Sequence, residues 1–374
     1  MPKPRITANQ VTFLRLALIP IPCWLLYQGV HGQYAALIFA TLLGCTDFVD
    51  GYLARKHGPT VLGGLMDPIA DKVFIAITFL PAVDLHWCPP WLVAALFARE
   101  FLVTAARTVY EERGQSLKST YLARYKTWVQ MCGIGMLMLM HTVEESTVDL
   151  LLGIGAVLPL IAFTARYVLV KKMWKGAAAF AVSFTVLLLV HEIFGSNRTC
   201  LLLMYFIVGL TWWTGLEYLF GIRSLRGKGR ISGGELVRLV TALALPVIAV
   251  AAQTANLAPK WAIITVVSLE LAHGGLDNLL AHHRAQQGTI GWGTRLFAEC
   301  GLLGYSLVAT SRAAAEWNAI AAAVVGVVGI TFAFVQKRAY YLDSPAAGAS
   351  PKANTPAPNA TPNATKKPAA QLVA

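Results

Sequence analysis

The stretch DFVDGYLARKHGPTVLGGLMDPIADK, from Asp47 to Lys72, sets four carboxylates into an otherwise oily chain. Asp47, Asp50 and Ala54 are spaced i, i+3, i+7, so a helix carries them on one face. Asp67 and Asp71 are i, i+4 at the start of the next apolar run, and a short Gly-containing connection aims all four acids at one space. An unpaired carboxylate near hydrocarbon costs several kcal/mol, so four together need a cationic partner. A pair of divalent ions meets that need, and hard oxygen ligands suit Mg²⁺ or Mn²⁺ held jointly with phosphate. Metal and phosphate together imply phosphoryl-type transfer. Gly51 and Ala54 keep side-chain bulk off the same surface. The structural alternative is that Asp47 and Asp50 merely cap a loop and pair with Arg55 and Lys56. The number of fixed positions in D-x2-DG-x2-AR…G-x3-D-x3-D argues against it.

The elements that must position these acids are membrane helices. Of 374 residues 56% are hydrophobic and only 13% charged, far from the balance of a soluble globular domain. Apolar runs of spanning length recur at about 11–30, 34–53, 68–87, 91–110, 127–141, 148–170, 176–195, 199–221, 236–255, 260–281, 292–310 and 314–335. The expectation is an all-α polytopic membrane protein of about twelve transmembrane helices. The net charge of +12 does not point to nucleic acid, because the Lys and Arg residues sit in short loops between apolar runs, as topology signals do. That bias places both termini and the acids on the cytoplasmic face of a cell (inner) membrane, where basic loops also meet anionic lipids. The first apolar run carries Arg15 and two prolines and reads as retained. Six scattered cysteines without CxxC spacing read as small buried hydrophobes. The Pro-, Ala- and Asn-rich tail, 338–374, reads as disordered and cytoplasmic.

The acid pattern resembles the signature of the CDP-alcohol phosphatidyltransferase family, here Asp47, Asp50, Gly51, Ala54, Arg55, Gly63, Asp67 and Asp71, with seven residues between Arg55 and Gly63 where the family has eight. AREFLVTAARTVYEERGQSLKSTYLARYKTWVQ, from Ala98 to Gln130, is similar to a region of the phosphatidylglycerophosphate synthases through Arg99, Glu100, Arg107, Gly114, Lys126, Thr127 and Gln130. Asn9, Thr12 and Arg15 resemble that group's opening, and LTWWTGLEYLFGIR its last span. The resemblance implies attack of the 1-hydroxyl of sn-glycerol 3-phosphate on the β-phosphorus of CDP-diacylglycerol, giving phosphatidylglycerophosphate and CMP. It further implies two Mg²⁺ (or Mn²⁺) ions on Asp47, Asp50, Asp67 and Asp71, with Asp71 as general base. Gly51, Ala54 and Arg55 would meet the cytidine diphosphate, and Arg107 and Lys126 the acceptor's phosphate. From charge alone, Arg107 and Lys126 read as ordinary positive-inside anchors, and Arg99 with Glu100 as a structural ion pair.

The chain also resembles itself. GGLDNLLAHHRAQQGTIGWGTRLFAE aligns with the acid motif through Asp277, Asn278, Ala281, His282, Gly291, Arg295 and Glu299. In that register Asp47 becomes Gly274 and Asp67 becomes Arg295, so the copy has lost its chemistry; a cation opposes metal binding. The domain expectation is therefore a catalytic unit at 1–228, with extra spans at 148–195, and an inactive repeat at 232–337. The resemblance implies a homodimer, and the repeat offers an internal pseudo-dimer instead. His273, His282 and His283 lack the i, i+4 spacing of a helical zinc pair. Three competing functions remain: a twelve-span transporter, the same chemistry on another alcohol such as inositol phosphate or serine, and a membrane prenyltransferase. The acids at helix ends argue against the first, and Gly51, Ala54 and Arg55 against the last.

Overall fold

The computed structural model describes residues 8–57, 61–113, 121–171, 175–224, 232–282 and 292–336, together with 338. Ala54 and Arg55 are described only as helix positions, and the tail expected to be disordered lies outside the described residues apart from 338.

Helices cover most of every apolar run read from the sequence, and all twelve described elements are α-helical. They are α1 (Ala8–Leu18), α2 (Pro20–Leu26), α3 (Gly29–His57), α4 (Val61–Asp84), α5 (Pro90–Glu112), α6 (Tyr121–Thr142), α7 (Glu145–Val170), α8 (Lys175–Ser224), α9 (Gly233–Thr254), α10 (Lys260–His282), α11 (Trp292–Val308) and α12 (Arg312–Gln336). Pro20 and Pro22 lack the backbone N–H a continuing helix needs, so the first run divides into α1 and α2. Gly195, at φ 71°, divides α8 into two runs. His191 braces this bend, its Nδ1 2.6 Å from Asp149 Oδ1 and its Nε2 2.9 Å from Ser196 Oγ. At the start of α9 the Ser232 hydroxyl accepts from Glu235 N–H while Glu235 accepts from Ser232 N–H, a reciprocal cap.

Six described segments are long and apolar enough to cross a membrane: Ala8–Leu26, Gly29–Leu53, Glu145–Leu169, Gly176–Leu216, Gly233–Thr254 and Arg312–Gln336. The chain is a membrane protein, and these six are what length and composition establish where the sequence led us to expect about twelve. The remaining helices are shorter, as α11 is at 17 residues, or carry more polar and charged side chains. α4 bears Asp67, Asp71 and Lys72, α5 bears Arg99, Glu100 and Arg107, and α11 bears Arg295 and Glu299. α4 and α5 lie inside the bundle, with α5 buried along most of its length. Charged residues are sheltered from lipid by one another and by neighbouring helices.

Candidate active site

The acids meet where α1, α3 and α4 pack together. α1 presents Thr12 and Arg15, one turn apart and both buried. The Arg15 guanidinium donates from Nη1 to Asp47 Oδ1 at 2.8 Å and to Asp71 Oδ1 at 3.5 Å, and its Nη2 lies 3.4 Å from Asp50 Oδ2. The Thr12 hydroxyl lies 2.9 Å from Asp67 Oδ1 and 3.2 Å from Asp50 Oδ2. Two side chains of α1 thus bridge all four acids of α3 and α4, and the convergence expected from i, i+3 and i, i+4 spacing is present. Burial is graded: Asp50 is 3% exposed, whereas Asp71 and Asp47 are 25% and 33% exposed, so the cluster opens along the Asp47–Asp71 side.

One guanidinium cannot neutralise four carboxylates, and a buried excess of negative charge is costly. That imbalance, in an all-oxygen donor set, fits a hard divalent cation. Among the described residues no three His, Cys, Asp or Glu side chains are grouped to enclose an ion as they stand. Arg15, which stands between Asp47, Asp50 and Asp71, makes the contacts instead. Gly51 follows Asp50 on α3, next to this space, while the side chains of Ala54 and Arg55 lie outside the described residues.

A second polar cluster begins one residue further along α4. Lys72 Nζ donates to Thr104 Oγ1 on α5 at 2.8 Å, and Thr104 Oγ1 donates to the Glu100 carbonyl at 2.7 Å. Glu100 is the hub. Its Oε1 accepts from Lys126 Nζ, from Gln130 Nε2 at 3.2 Å and from Arg99 Nη1 at 3.4 Å. Arg99 and Gln130 continue to Thr214 at 2.9 Å and Thr211 at 3.0 Å on α8. Arg107 is half-buried on α5, one turn beyond Thr104. The structure thus brings Asp47, Asp50, Asp67 and Asp71 together and places Lys126 on Glu100 in the adjacent cluster. Arg99 and Glu100 are an ion pair, as charge alone had suggested.

Sequence reasoning left Thr12, Arg15 and Lys72 outside the site. The signal for Arg15 was present: an arginine in an apolar run needs a buried partner, and the only nearby surplus of acid is the motif itself. Lys72 was legible as the residue after Asp71, where one helical step of about 100° turns its side chain toward a different neighbour.

With this geometry in view, the comparisons with known proteins agree. The CDP-alcohol phosphatidyltransferase family matches residues 5–161, from before α1 into α7. A CDP-diacylglycerol–glycerol-3-phosphate 3-phosphatidyltransferase of Bacillus subtilis is 31% identical over 145 residues, which cover 35% of this chain and 75% of that protein. Its counterpart in Cereibacter sphaeroides is 34% identical over 137 residues, 35% of this chain and 62% of that protein. The one in Escherichia coli is 31% identical over 135 residues, 34% of this chain and 74% of that protein. No solved structure matches. The protein is a membrane enzyme of phospholipid biosynthesis with transferase chemistry. It belongs to the CDP-alcohol phosphatidyltransferase family.

Proposed function

We propose that the chain transfers the phosphatidyl group of CDP-diacylglycerol to sn-glycerol 3-phosphate, giving phosphatidylglycerophosphate and CMP at the cytoplasmic face of the inner membrane. The observation that carries this reading is the convergence of Asp47, Asp50, Asp67 and Asp71 on Thr12 and Arg15, in a chain whose relatives are named for that reaction. The acceptor's 1-hydroxyl oxygen forms a bond to the β-phosphorus, the bond from that phosphorus to the CMP oxygen breaks, and the hydroxyl proton passes to Asp71. Asp71 suits the base role because it lies on the open side of the cluster, where an acceptor can reach it. Two Mg²⁺ or Mn²⁺ ions held by Asp47, Asp50, Asp67 and Asp71 would supply neutralisation of the pyrophosphate. Gly51, Ala54 and Arg55 meet the cytidine diphosphate. Arg107 and Lys126 take the acceptor's phosphate, and Lys72 joins them from the α4 side. Arg is well shaped for such an oxyanion.

The test is turnover by purified protein in detergent, with CDP-diacylglycerol, Mg²⁺ and a panel of acceptors, read as lipid product by mass spectrometry. Glycerol 3-phosphate should give phosphatidylglycerophosphate and stoichiometric CMP. Product with serine or inositol phosphate instead would overturn the acceptor. No CMP release with any alcohol would overturn the reading entirely and favour transport.

A further inference from the structure

The helical hairpin α9–α10 reproduces α4–α5 feature by feature. The paired helices have 24 and 22 residues in one case and 23 and 23 in the other. Both connecting turns place one non-glycine residue at positive φ, His86 at 58° and Asn256 at 52°. Each is followed by the same backbone bond, Trp87 N to Ala82 O at 2.9 Å and Leu257 N to Ala252 O at 3.1 Å. At that one offset of 170 residues, Gly63–Gly64 becomes Gly233–Gly234, Pro89 becomes Pro259, Trp91 becomes Trp261 and Glu100 becomes Glu270.

The buried ion cluster recurs as well. Glu100 holds Lys126 and Gln130 of α6, spaced i, i+4. Glu270 holds Arg295 of α11, Nη2 to Oε1 at 2.5 Å, and Glu299 stands four residues on, with both carboxylates against Gly326 of α12. Gly215 of α8 lies against Arg99, and Gly329 of α12 against Arg295.

The two units meet as copies do across a two-fold axis. α4 packs on α10 and α5 on α9, while α5 and α10 touch each other. Ile69 sits among Ala272, Leu276 and Leu280, and its counterpart Leu239 sits against Ala106 and Tyr110, the counterparts of Leu276 and Leu280. The equivalent residues Thr104 and Gly274 face each other: a Cβ on Gly274 would lie 2.9 Å from Thr104 Cγ2. Reciprocal contacts of this kind define an isologous interface. This register differs from the one given by the acid motif, because Asp277 stands in the place of Arg107 and not of Asp50.

The second unit lacks the chemistry. Asp67, Asp71 and Lys72 are replaced by Val237, Thr241 and Ala242. Only eight residues, 225–232, separate α8 from α9, too few for counterparts of α1 to α3. What the second unit adds is a wall. A groove of about 830 Å³ runs between α1, α2 and α4 on one side and α10 and α12 on the other. It begins at Phe13, Leu16 and Met66, beside Thr12, Arg15 and Asp67, passes Leu276, and ends at Trp261 and Lys260, whose ammonium lies 5.1 Å from the Tyr27 ring centre. Along α10, from Leu276 to Lys260, this is roughly 24 Å of helix rise, longer than the roughly 15 Å hydrocarbon half of a bilayer. A lipid tail whose headgroup sits on the acids is therefore accommodated along its length.

We infer that the segment α9–α12 is a diverged second copy of α4, α5, α6 and the C-terminal run of α8, without a counterpart of α7, docked as a built-in partner, and that it walls the lipid-tail groove of a single reaction centre per chain. The groove's occupant rests on the phosphatidyltransferase reading; the built-in partner does not. Three measurements on the full chain test it. Light scattering in detergent should give one chain per particle, and two differently tagged copies expressed together should not co-purify. With Ile69→Cys and Gly275→Cys, oxidation should link α4 to α10 at monomer mass. Particles of two chains, or a linked species of doubled mass, would overturn the built-in partner. Native mass spectrometry should show that Ile264→Trp and Thr265→Trp, which line the groove toward its Lys260 end, retain dioleoyl CDP-diacylglycerol about ten-fold less well, with the dioctanoyl lipid, whose tails stop short of them, held as in the parent. Equal loss of both lipids, or no loss, would overturn the groove. These readouts need no turnover, so a failure of the catalytic reading shows separately in the acceptor panel.

Discussion

Arg15 of α1 and Asp47 of α3, 32 positions apart in sequence, are joined by a 2.8 Å hydrogen bond, and the same guanidinium reaches Asp50 and Asp71. Arg15 is 2% exposed, and among the described residues these acids compensate its charge. The protein's own cation therefore holds the site together, and a divalent ion competes with it or joins it. Arg15→Gln should destabilise the ion-free protein by about 3–5 kcal/mol, the usual effect of breaking a buried pair from one side. Saturating Mg²⁺ should recover most of that loss, because binding to the folded state alone adds about 2.7 kcal/mol at a hundred times Kd. Melting curves in detergent with EDTA and with Mg²⁺ measure both effects. Coincident curves with EDTA and with Mg²⁺, in parent and variant alike, would show that no ion binds among the acids.

Asp71 and Asp67 lie on consecutive turns of α4 and differ in what they touch: Thr12 engages Asp67 at 2.9 Å, while Asp71 has a long 3.5 Å contact to Arg15. A loosely held carboxylate on the open side of the cluster is free to take a proton. Asp71→Asn should lower kcat by a factor of about 10² to 10⁴, the usual worth of a general base, without loss of expression. Asp67→Asn should also weaken activation by Mg²⁺. A fully active Asp71→Asn would move the base elsewhere. The measurement is CMP release across an Mg²⁺ titration.

Much of this was legible in the sequence where the signal was local. Acid spacing of i, i+3 and i, i+4 fixes a common face before any packing is known, and long apolar runs fix helices. The pairing of Arg15 with acids 32 to 56 positions away and of Glu100 with Lys126 depends on which helices become neighbours, which periodicity does not encode. The same limit applies to the repeat. Its motif pairs Asp277 with Asp50, but the turns pair His86 with Asn256, and neither residue is the glycine that usually marks positive φ. The six apolar spans, against the expected twelve, reflect the charges on α4 and α5 and the short length of α11, which apolar runs alone do not weigh.

Arg107 follows Thr104 by one turn on α5, and Thr104 accepts from Lys72 of α4. The α4 residue next to the base thereby points at the helix that carries Arg107, one of the two proposed acceptor cations. Arg107→Ala should raise KM for glycerol 3-phosphate about ten-fold or more, leaving KM for CDP-diacylglycerol unchanged, because it removes a contact made to one substrate only. Initial rates with each substrate varied in turn give both constants. An unchanged acceptor KM would exclude Arg107 from the phosphate site.

Lys126 and Glu100 form the buried pair that joins α6 to α5, and its recurrence as Arg295 and Glu270 between α11 and α10 marks it as a helix clamp. Lys126→Met alone should cost about 3–5 kcal/mol, because Glu100 is left charged and buried. Adding Glu100→Gln neutralises the leftover carboxylate while keeping an acceptor for Arg99 and Gln130, and removing both charges of a buried pair costs far less than removing one. The double variant should therefore melt near the parent temperature. Its kinetics then separate clamp from ligand. If Lys126 also grips the acceptor, the restored protein keeps a raised KM for glycerol 3-phosphate, and if the clamp is its whole role, KM returns with the fold. Because Lys126 matches the synthase pattern and Arg295 stands in a unit without counterparts of Asp67 and Asp71, the expected result is recovered melting with a KM that stays raised about ten-fold, the loss of one charge-assisted hydrogen bond.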